Sequence, residues 1–426
     1  MISSSRLSLH NTSNLPTTLL LKKSWPPALS DEYASSSIDE LSPTYEEIKR
    51  QVENVGDILI RIVTWNQQAR EPPSPEDLAK HLFQSRRYHI IVVGTQECEN
   101  TFAKSILNPS KAKWEERLEA ALGTDFDAVH SHSLQASHII IFAHKAIAHW
   151  VSNIRSVAIP TGIGDKLGNK GGIGMSMNVA DSSFCFINVH LAAHQHATNR
   201  RTSEFKKISN EMVTKMCNRQ PSLSQTSVSS HSVDELECVN FEENLMDDGD
   251  ILPNPSHIHS NLRCDDDMRT DAGPTTNPLI DAYDYVFYFG DLNFRINGTR
   301  EVVDGMLENH MHDALLCNDQ LTMLMRFNRI FSGFGEGPLN FFPTYKFDNN
   351  SDHYDSSQRR RVPSWTDRIL FKKDSRTQIL SYCSSAIRTS DHRPVYATFR
   401  CRLDFDDGSK VYDKPCWELR RETRSE

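Results

Sequence analysis

Hydrophobic and polar positions follow two different patterns through most of the chain. Short β-branched or aromatic runs predict strands at 58–65, 90–97, 137–143, 171–179, 183–191, 285–293, 384–388 and 395–400. Apolar residues at helical spacing predict helices within 74–87, 197–217 and 300–309, and a short one near 42–52. Strands that alternate with helices are typical of an α/β sheet, so we expect one large α/β domain built on packed layers.

Three segments lack both patterns. Residues 1–55 are rich in Ser, Thr and Pro and are predicted to be a mostly flexible leader. Residues 218–282 are polar and aperiodic, which predicts a disordered acidic and Ser-rich insertion. The folded domain is therefore expected at 56–405, followed by a tail at 406–426.

Composition narrows the class of protein. No apolar run has the roughly 18 residues that a membrane span needs, and the N-terminal region does not resemble a secretory signal. The nine cysteines form no CxxC pair, which argues against a disulfide framework or a zinc site. These features favour a cytoplasmic protein, which could still act at a membrane surface.

The net charge of -9 is concentrated in one segment. Residues 221–280 contain 12 acidic residues and 2 arginines, so the other 366 residues carry a net charge of +1. A nuclease needs an extended cationic groove for the nucleic-acid backbone. A nearly neutral remainder argues against such a groove, and we expect no nucleic-acid partner.

Polar side chains stand where predicted strands end. Four strands finish in such groups and a fifth cluster precedes the last strand: Asn66, Glu97, His190, Asp291 with Asn293, and Ser390-Asp391-His392. Strand ends at one edge of an α/β sheet converge on a crevice. Each residue alone could be a turn residue, a surface residue or a core histidine. Together they suit a hard divalent cation, expected to be Mg²⁺, and a water nucleophile.

Two segments supply positive charge. Residues 161–174 contain six glycines with Lys166, Asn169 and Lys170 between them, which suits anionic oxygens or simply a flexible turn. Residues 341–370 combine cations with aromatic rings: Lys346, Arg359, Arg360, Arg361 and Arg368 with Tyr345, Tyr354 and Trp365. This second segment suits phosphate groups, although a solvated basic loop or a nucleic-acid patch has the same composition.

Eight motifs, in this order, resemble the inositol polyphosphate 5-phosphatases: TWNQQ, GTQE, GIGDKLGNKGGIG, NVHLAAH, FYFGDLNFRI, FFPTYKFD, YDSSQRRRVPSWTDRIL and SDHRPV. The SDH triplet is shared with the wider superfamily that includes DNase I. The resemblance implies a DNase I-like four-layer sandwich, two packed β-sheets flanked by helices. It also implies Mg²⁺-dependent removal of the 5-phosphate from phosphoinositides, such as phosphatidylinositol 4,5-bisphosphate, or from soluble inositol polyphosphates.

The resemblance also implies roles for the metal and the attacking water. Glu97 matches the principal Mg²⁺ ligand, with Asn66 beside it. Asp291 matches the base that activates the water, and Asn293 the residue that orients it.

Further roles concern the phosphates. By the same resemblance, His392 would stabilise the phosphoryl charge with Asp391 as its orienting partner, His190 would hold a phosphate oxygen, and Asp367 would brace the site. Two groups match substrate contacts: Tyr345, Lys346, Arg359 and Arg361 for a 4-phosphate, and Asn169 and Lys170 near a 1-phosphate. Position 359 is Arg where the family usually has Lys, which keeps the charge but changes the donor geometry.

Two other functions are weighed against this one. A phosphodiesterase acting on nucleic acid would share the fold, and a catalytically inactive phosphoinositide-binding module would share the head-group site. We expect a monomer that touches membranes only transiently, through an apolar loop containing Phe331 and Phe334.

Overall fold

The computed structural model describes residues 45–84, 87–98, 111–162, 168–217 and 277–405. Its helices are α1 Tyr45–Val55, α2 Pro75–Leu82, α3 Ala112–Leu122, α4 Thr198–Cys217, α5 Pro278–Ala282, α6 Arg300–Glu308, α7 His312–Cys317 and α8 Gln320–Arg326, with a 3₁₀ turn at Lys145–Trp150. Its strands are β1 Asp57–Asn66, β2 Ile90–Gln96, β3 Phe126–Leu134, β4 Ser137–His144, β5 Val151–Pro160, β6 Gly171–Val179, β7 Ser182–His190, β8 Tyr285–Asp291, β9 Phe334–Glu336, β10 Asp367–Lys372, β11 Thr377–Ser384 and β12 Val395–Arg402.

The strands form two six-stranded mixed sheets. One sheet has the order β11-β12-β1-β2-β4-β3 and the other the order β5-β6-β7-β8-β10-β9. Within each sheet one neighbouring pair is parallel, β1 with β2 and β7 with β8. Each parallel pair is joined through a helix, α2 or α4, as parallel neighbours require.

Three apolar clusters show how the layers pack. The largest lies between the two sheets and includes Ile62, Phe287 and Phe399. A second joins the β1–β2 sheet to α2 and α3, through residues such as Trp114, and a third joins the β7–β8 sheet to α4, through residues such as Ile208. The order helix, sheet, sheet, helix confirms the predicted DNase I-like four-layer sandwich.

Two glycines allow the close approach that aligns the site. A Cβ on Gly94 of β2 would lie 2.5 Å from the Phe289 ring of β8, so only glycine lets the two sheets meet there. Gly290 has φ +141°, and a Cβ there would lie 2.0 Å from the Val189 carbonyl oxygen of β7. Asp291 directly follows Gly290, so this packing helps to set its position.

The register brings the polar strand ends to one edge. His190 at the end of β7 is paired with Asp291 at the end of β8. The antiparallel strand β10 begins at Asp367, which is also paired with Asp291. In the other sheet, Asn66 at the end of β1 is paired with Gln96, the residue before Glu97.

Several predicted segments need correction or lie outside the described residues. The leader up to residue 44, residues 218–276 of the insertion and the tail from 406 are outside the described residues. The insertion was extended too far, because Pro278–Ala282 is a helix capped by Asn277. Residues 385–388 are not in a strand, because β11 has already ended at Ser384.

The apolar loop predicted to touch membranes is also wrong as assigned. Phe331 and Phe334 are each only 2% exposed. Their rings pack against Tyr288 of β8, and Phe331 also contacts Phe205 of α4. Burial in the core leaves neither ring available to a lipid surface. No helix in the described part of the chain is long and apolar enough to cross a membrane.

Candidate active site

Asp291 is the centre of the candidate site. Its Oδ2 accepts a hydrogen bond from Asn66 Nδ2 at 3.1 Å and lies 3.3 Å from His190 Nε2. Its Oδ1 accepts the Asn293 backbone N–H at 3.1 Å. Burial alone would raise the pKa of Asp291, but hydrogen bonding to His190 and neighbouring positive charge outweigh burial and lower that pKa well below the ordinary range. Asp291 is therefore ionised at physiological pH.

Glu97 faces Asp291 across Asn66. Asn66 Nδ2 donates to Glu97 Oε1 at 3.4 Å, so one amide bridges two carboxylates. Glu97 has φ 49°, in the left-handed region that non-glycine residues seldom adopt, and its carbonyl oxygen accepts the Ala69 N–H at 2.7 Å. Such backbone strain is concentrated at functional sites, because it persists only where the surroundings fix it.

The acidic groups here can hold a cation. Glu97 and Asp291 offer carboxylate oxygens on either side of the Asn66 amide. Burial raises the pKa of Asp391, and the negative charges of Glu97 and Asp291 raise it further. Hard divalent cations prefer such oxygen ligands. The Asn66 oxygen accepts the Gln68 N–H at 3.0 Å, so its use as a ligand would require the amide to turn over. A second buried group has ligand atoms within 4.8 Å of one another, in Asp291, Asp367 and His392.

His392 is oriented by Asp367 and not, as predicted, by Asp391. His392 Nδ1 lies 2.9 Å from Asp367 Oδ2, whereas its Nε2 is 4.0 Å from Asp391 Oδ1. Burial opposes the charge on His392, but the Asp367 carboxylate outweighs burial and raises the pKa of His392 to about 10. Because the charges of His392 and Asp367 are already paired with each other, Glu97 and Asn66 remain the better candidates for metal ligands.

Asp367 is held by two threonine hydroxyl groups. Its Oδ2 accepts hydrogen bonds from Thr344 Oγ1 at 2.7 Å and from Thr366 Oγ1 at 2.9 Å, besides facing His392. All of these groups are buried. The His392 imidazolium is therefore held with Nδ1 toward Asp367 and with Nε2 free to point into the site.

Asn293 is held in place by a residue that the sequence analysis missed. Arg295 Nη2 donates to Asn293 Oδ1 at 2.6 Å, and Asn293 Nδ2 donates to the Leu191 carbonyl at 3.0 Å. The Arg295 guanidinium also lies 4.3 Å from the centre of the Tyr345 ring, which in turn packs on His392 at 4.5 Å. Arg295 is two residues after Asn293 in the FGDLNFRI motif, and this position could have identified it as a site residue from the sequence.

Lys170 reaches the site from the glycine-rich segment. Its Nζ contacts His190 Nε2, and burial lowers the pKa of both Lys170 and His190. Asn169 Oδ1 is buried and has no hydrogen-bond partner among the described residues. Lys166 lies outside the described residues.

The basic segment divides into binding candidates and a structural residue. Tyr345 and Arg361 line a cavity of about 90 Å³ together with Arg295, and Lys346 Nζ lies 3.7 Å from Asp391 Oδ2. Arg359 is exposed on the loop before Arg361. Two other arginines of this segment form ion pairs away from the cavity. Arg368 is buried in ion pairs with Asp319 and Glu336, and Arg360 pairs with Glu301.

Known proteins are similar to this chain in sequence. Synaptojanin of Caenorhabditis elegans is 29% identical over 78% of this chain and 24% of its own length. The human phosphatidylinositol polyphosphate 5-phosphatase type IV is 29% identical over 81% of this chain and 46% of its own length. The chain thus spans a quarter to a half of the length of these relatives.

A solved structure supports the fold independently. The inositol polyphosphate 5-phosphatase domain of a synaptojanin, in complex with inositol (1,4)-bisphosphate and calcium ion, matches with a TM-score of 0.62. The match covers 90% of this chain and 99% of that domain, at 24% identity. The family model for endonuclease/exonuclease/phosphatase family 2 matches residues 63–398, which contain every candidate site residue. The chain therefore belongs to the endonuclease/exonuclease/phosphatase family 2.

Proposed function

We propose that this protein is a Mg²⁺-dependent phosphatase that removes the 5-phosphate from phosphoinositides, from soluble inositol polyphosphates, or from both. One observation carries the proposal: an ionised, buried Asp291 lies between the Glu97 and Asn66 side chains and a protonated His392. The relatives named as phosphoinositide 5-phosphatases support the choice of substrate.

Asp291 and Asn293 suit the handling of the attacking water. The carboxylate of Asp291 can accept a proton, and the fixed Asn293 amide can orient the water beside it. The low pKa of Asp291 makes it a weak base. Mg²⁺, when held by Glu97 and Asn66, would lower the pKa of water and offset phosphate charge, which compensates for that weakness.

His392 suits the negative charge that develops on the phosphoryl group. Its pKa of about 10 keeps the imidazole protonated at physiological pH, and the Asp367 pair fixes its direction. A fixed donor in a water-poor site stabilises a developing charge far better than one in bulk solvent. We assign His190, whose Nε2 lies 3.3 Å from Asp291 Oδ2, to a phosphate oxygen.

Recognition of further phosphates is assigned to the basic residues near the site. Tyr345, Lys346, Arg359 and Arg361 would bind a 4-phosphate, and Asn169 with Lys170 would face a 1-phosphate. The cavity beside Tyr345 and Arg361 supports the first assignment.

We further propose a cytoplasmic monomer that meets membranes only transiently. Helix α8 starts next to the site, because Gln320 Oε1 accepts the Arg295 N–H at 3.0 Å. Phe327, the residue that follows α8, is 67% exposed. Phe327 therefore replaces the two buried phenylalanines as the candidate for lipid contact.

The test is phosphate release from phosphatidylinositol 4,5-bisphosphate and from inositol 1,4,5-trisphosphate, with Mg²⁺ and with EDTA. We expect Mg²⁺-dependent release that Asp291→Asn lowers by 10² to 10⁴-fold, the usual share of a general base. Binding without release would favour an inactive module. Release of nucleotides from DNA or RNA instead would favour a phosphodiesterase.

A further inference from the structure

Three consecutive arginines precede the last part of the site, and the structure gives them different surroundings. Arg361 lines the cavity that it shares with Tyr345. Arg360 turns the other way, with Nη1 3.0 Å from Glu301 Oε1 and Nη2 3.7 Å from Asp304 Oδ2. Helix α6 therefore already balances the charge of Arg360. In the arginine loop, residues 355–361, Arg360 thus faces α6 and Arg361 faces the cavity.

The backbone of this loop is held by two side chains. Asp355 is buried, and its carboxylate accepts the N–H groups of Arg361 at 2.8 Å and Ser357 at 3.2 Å. Arg300 Nη1 donates to the carbonyl oxygens of Asp355 at 2.8 Å and Arg361 at 3.3 Å. The N–H and the C=O of Arg361 are thus both fixed, one by Asp355 and one by Arg300.

Arg300 is itself rigidly placed. Its Nε lies 2.7 Å from both carboxylate oxygens of Asp304, one helical turn away on α6. Its side chain is only 13% exposed. A planar guanidinium can serve a carboxylate and two carbonyls at once, which the single ammonium of lysine cannot do equally well.

Asp355 also binds the backbone of the neighbouring segment. Its backbone N–H donates to the Lys346 carbonyl at 2.8 Å, so the arginine loop is tied to the strand-like segment that carries Tyr345 and Lys346. Burial opposes the charge on Asp355, but the donated N–H groups outweigh burial and lower its pKa. The residue is therefore a fixed anion at the base of the loop.

We propose that Arg300 and Asp355 are positioning residues that set specificity by directing Arg361, and not Arg360, toward a phosphate next to the one removed. The inference rests on the proposed function. Both side chains bind backbone groups of the arginine loop, so we assign neither to the water or to the scissile phosphate. Loss of either should therefore weaken binding of the adjacent phosphate and leave turnover unchanged.

The test compares kcat and KM of the full chain on inositol 1,4,5-trisphosphate and on inositol 1,5-bisphosphate, which lacks the 4-phosphate. Arg300→Met keeps the apolar stem and removes the donors. We expect KM to rise about tenfold for the first substrate, since one charge-assisted contact is misdirected, with kcat within twofold and no change for the second. Arg300→Lys should recover part of the loss, and Arg360→Ala should leave both substrates unaffected.

An equal rise in KM for both substrates would overturn the inference, and so would the same rise in Arg360→Ala. If Arg300→Met fails to fold, Asp355→Asn keeps the side-chain volume and decides the question by the same comparison. A wild-type chain that hydrolyses neither substrate would refute the proposed function itself, and this inference with it.

Discussion

Arg368 should be essential for stability and dispensable as a phosphate ligand. It lies in the basic segment, yet its guanidinium is wholly buried. Its Nε and Nη2 donate to the two Glu336 oxygens at 2.6 Å each, and its Nη1 donates to Asp319 Oδ1 at 2.9 Å. Tyr382 donates a further hydrogen bond to Glu336 at 2.9 Å. The ion pairs of Arg368 with Glu336 and Asp319 join β10 to β9 and to the start of α8.

The cost of Arg368→Met follows from what it leaves behind. The buried Asp319 and the partly buried Glu336 would lose their cation, and breaking a buried pair from one side costs about 3–5 kcal/mol. Domains are commonly stable by only about 5–15 kcal/mol, so this is a large fraction of the total. Arg361 is only half-buried, so Arg361→Met should cost clearly less than Arg368→Met.

Urea unfolding of the wild type, the two single variants and Arg368→Met/Glu336→Gln measures these differences. We expect Arg368→Met to lower the free energy of unfolding strongly, and the added Glu336→Gln to recover part of it by removing one unpaired charge. A loss below 1 kcal/mol in Arg368→Met, together with a higher KM, would show that Arg368 serves the substrate and would refute this reading of its burial.

Three further predictions concern the site, acid stability and membrane contact. Asp367→Asn should lower kcat at least tenfold more than Asp391→Asn, because Asp367 holds His392, and equal losses would contradict that pairing. Burial lowers the pKa of His89 from 6.5 to about 3, so the unfolded chain takes up a proton that the folded chain does not. The contribution of His89 to the free energy of unfolding should be complete above pH 6.5 and should fall by about 1.4 kcal/mol per pH unit between pH 6.5 and about pH 3. Urea unfolding at several pH values should give a smaller slope for His89→Gln than for the wild type. Phe327→Ser should weaken co-sedimentation with anionic liposomes by tenfold or more, the value of one buried aromatic ring, and unchanged binding would exclude that surface.

Much of the fold could be predicted from the sequence, because buried strands need continuous apolar runs. β6 and β8 begin where the pattern predicts them, and α2, capped by Ser74, lies within the predicted helical range. β3 has no apolar run to predict it, because it lies at the edge of its sheet and residues 130–133 are all polar. β10 was missed because it begins with the charged pair Asp367 and Arg368, whose burial depends on partners far away in sequence.

The errors in the site have a similar cause. The motif resemblance implies Asp391 as the partner of His392, but Asp391 Oδ1 lies 4.0 Å from His392 Nε2 and does not contact Nδ1. The true partner, Asp367, comes from β10 and is 25 residues away. Likewise, Phe331 lies in a glycine-containing loop that appears exposed in sequence, and only the packing of α4 against β8 shows that its ring is buried.

The identity of the product formed from inositol 1,4,5-trisphosphate tests the central claim most directly. Wild-type protein with Mg²⁺ should yield inositol 1,4-bisphosphate and inorganic phosphate, and Asp291→Asn should form the same product at a rate at least a hundredfold lower. A product that has lost the 1- or 4-phosphate, or an Asp291→Asn variant as fast as the wild type, would contradict the assignment of this site.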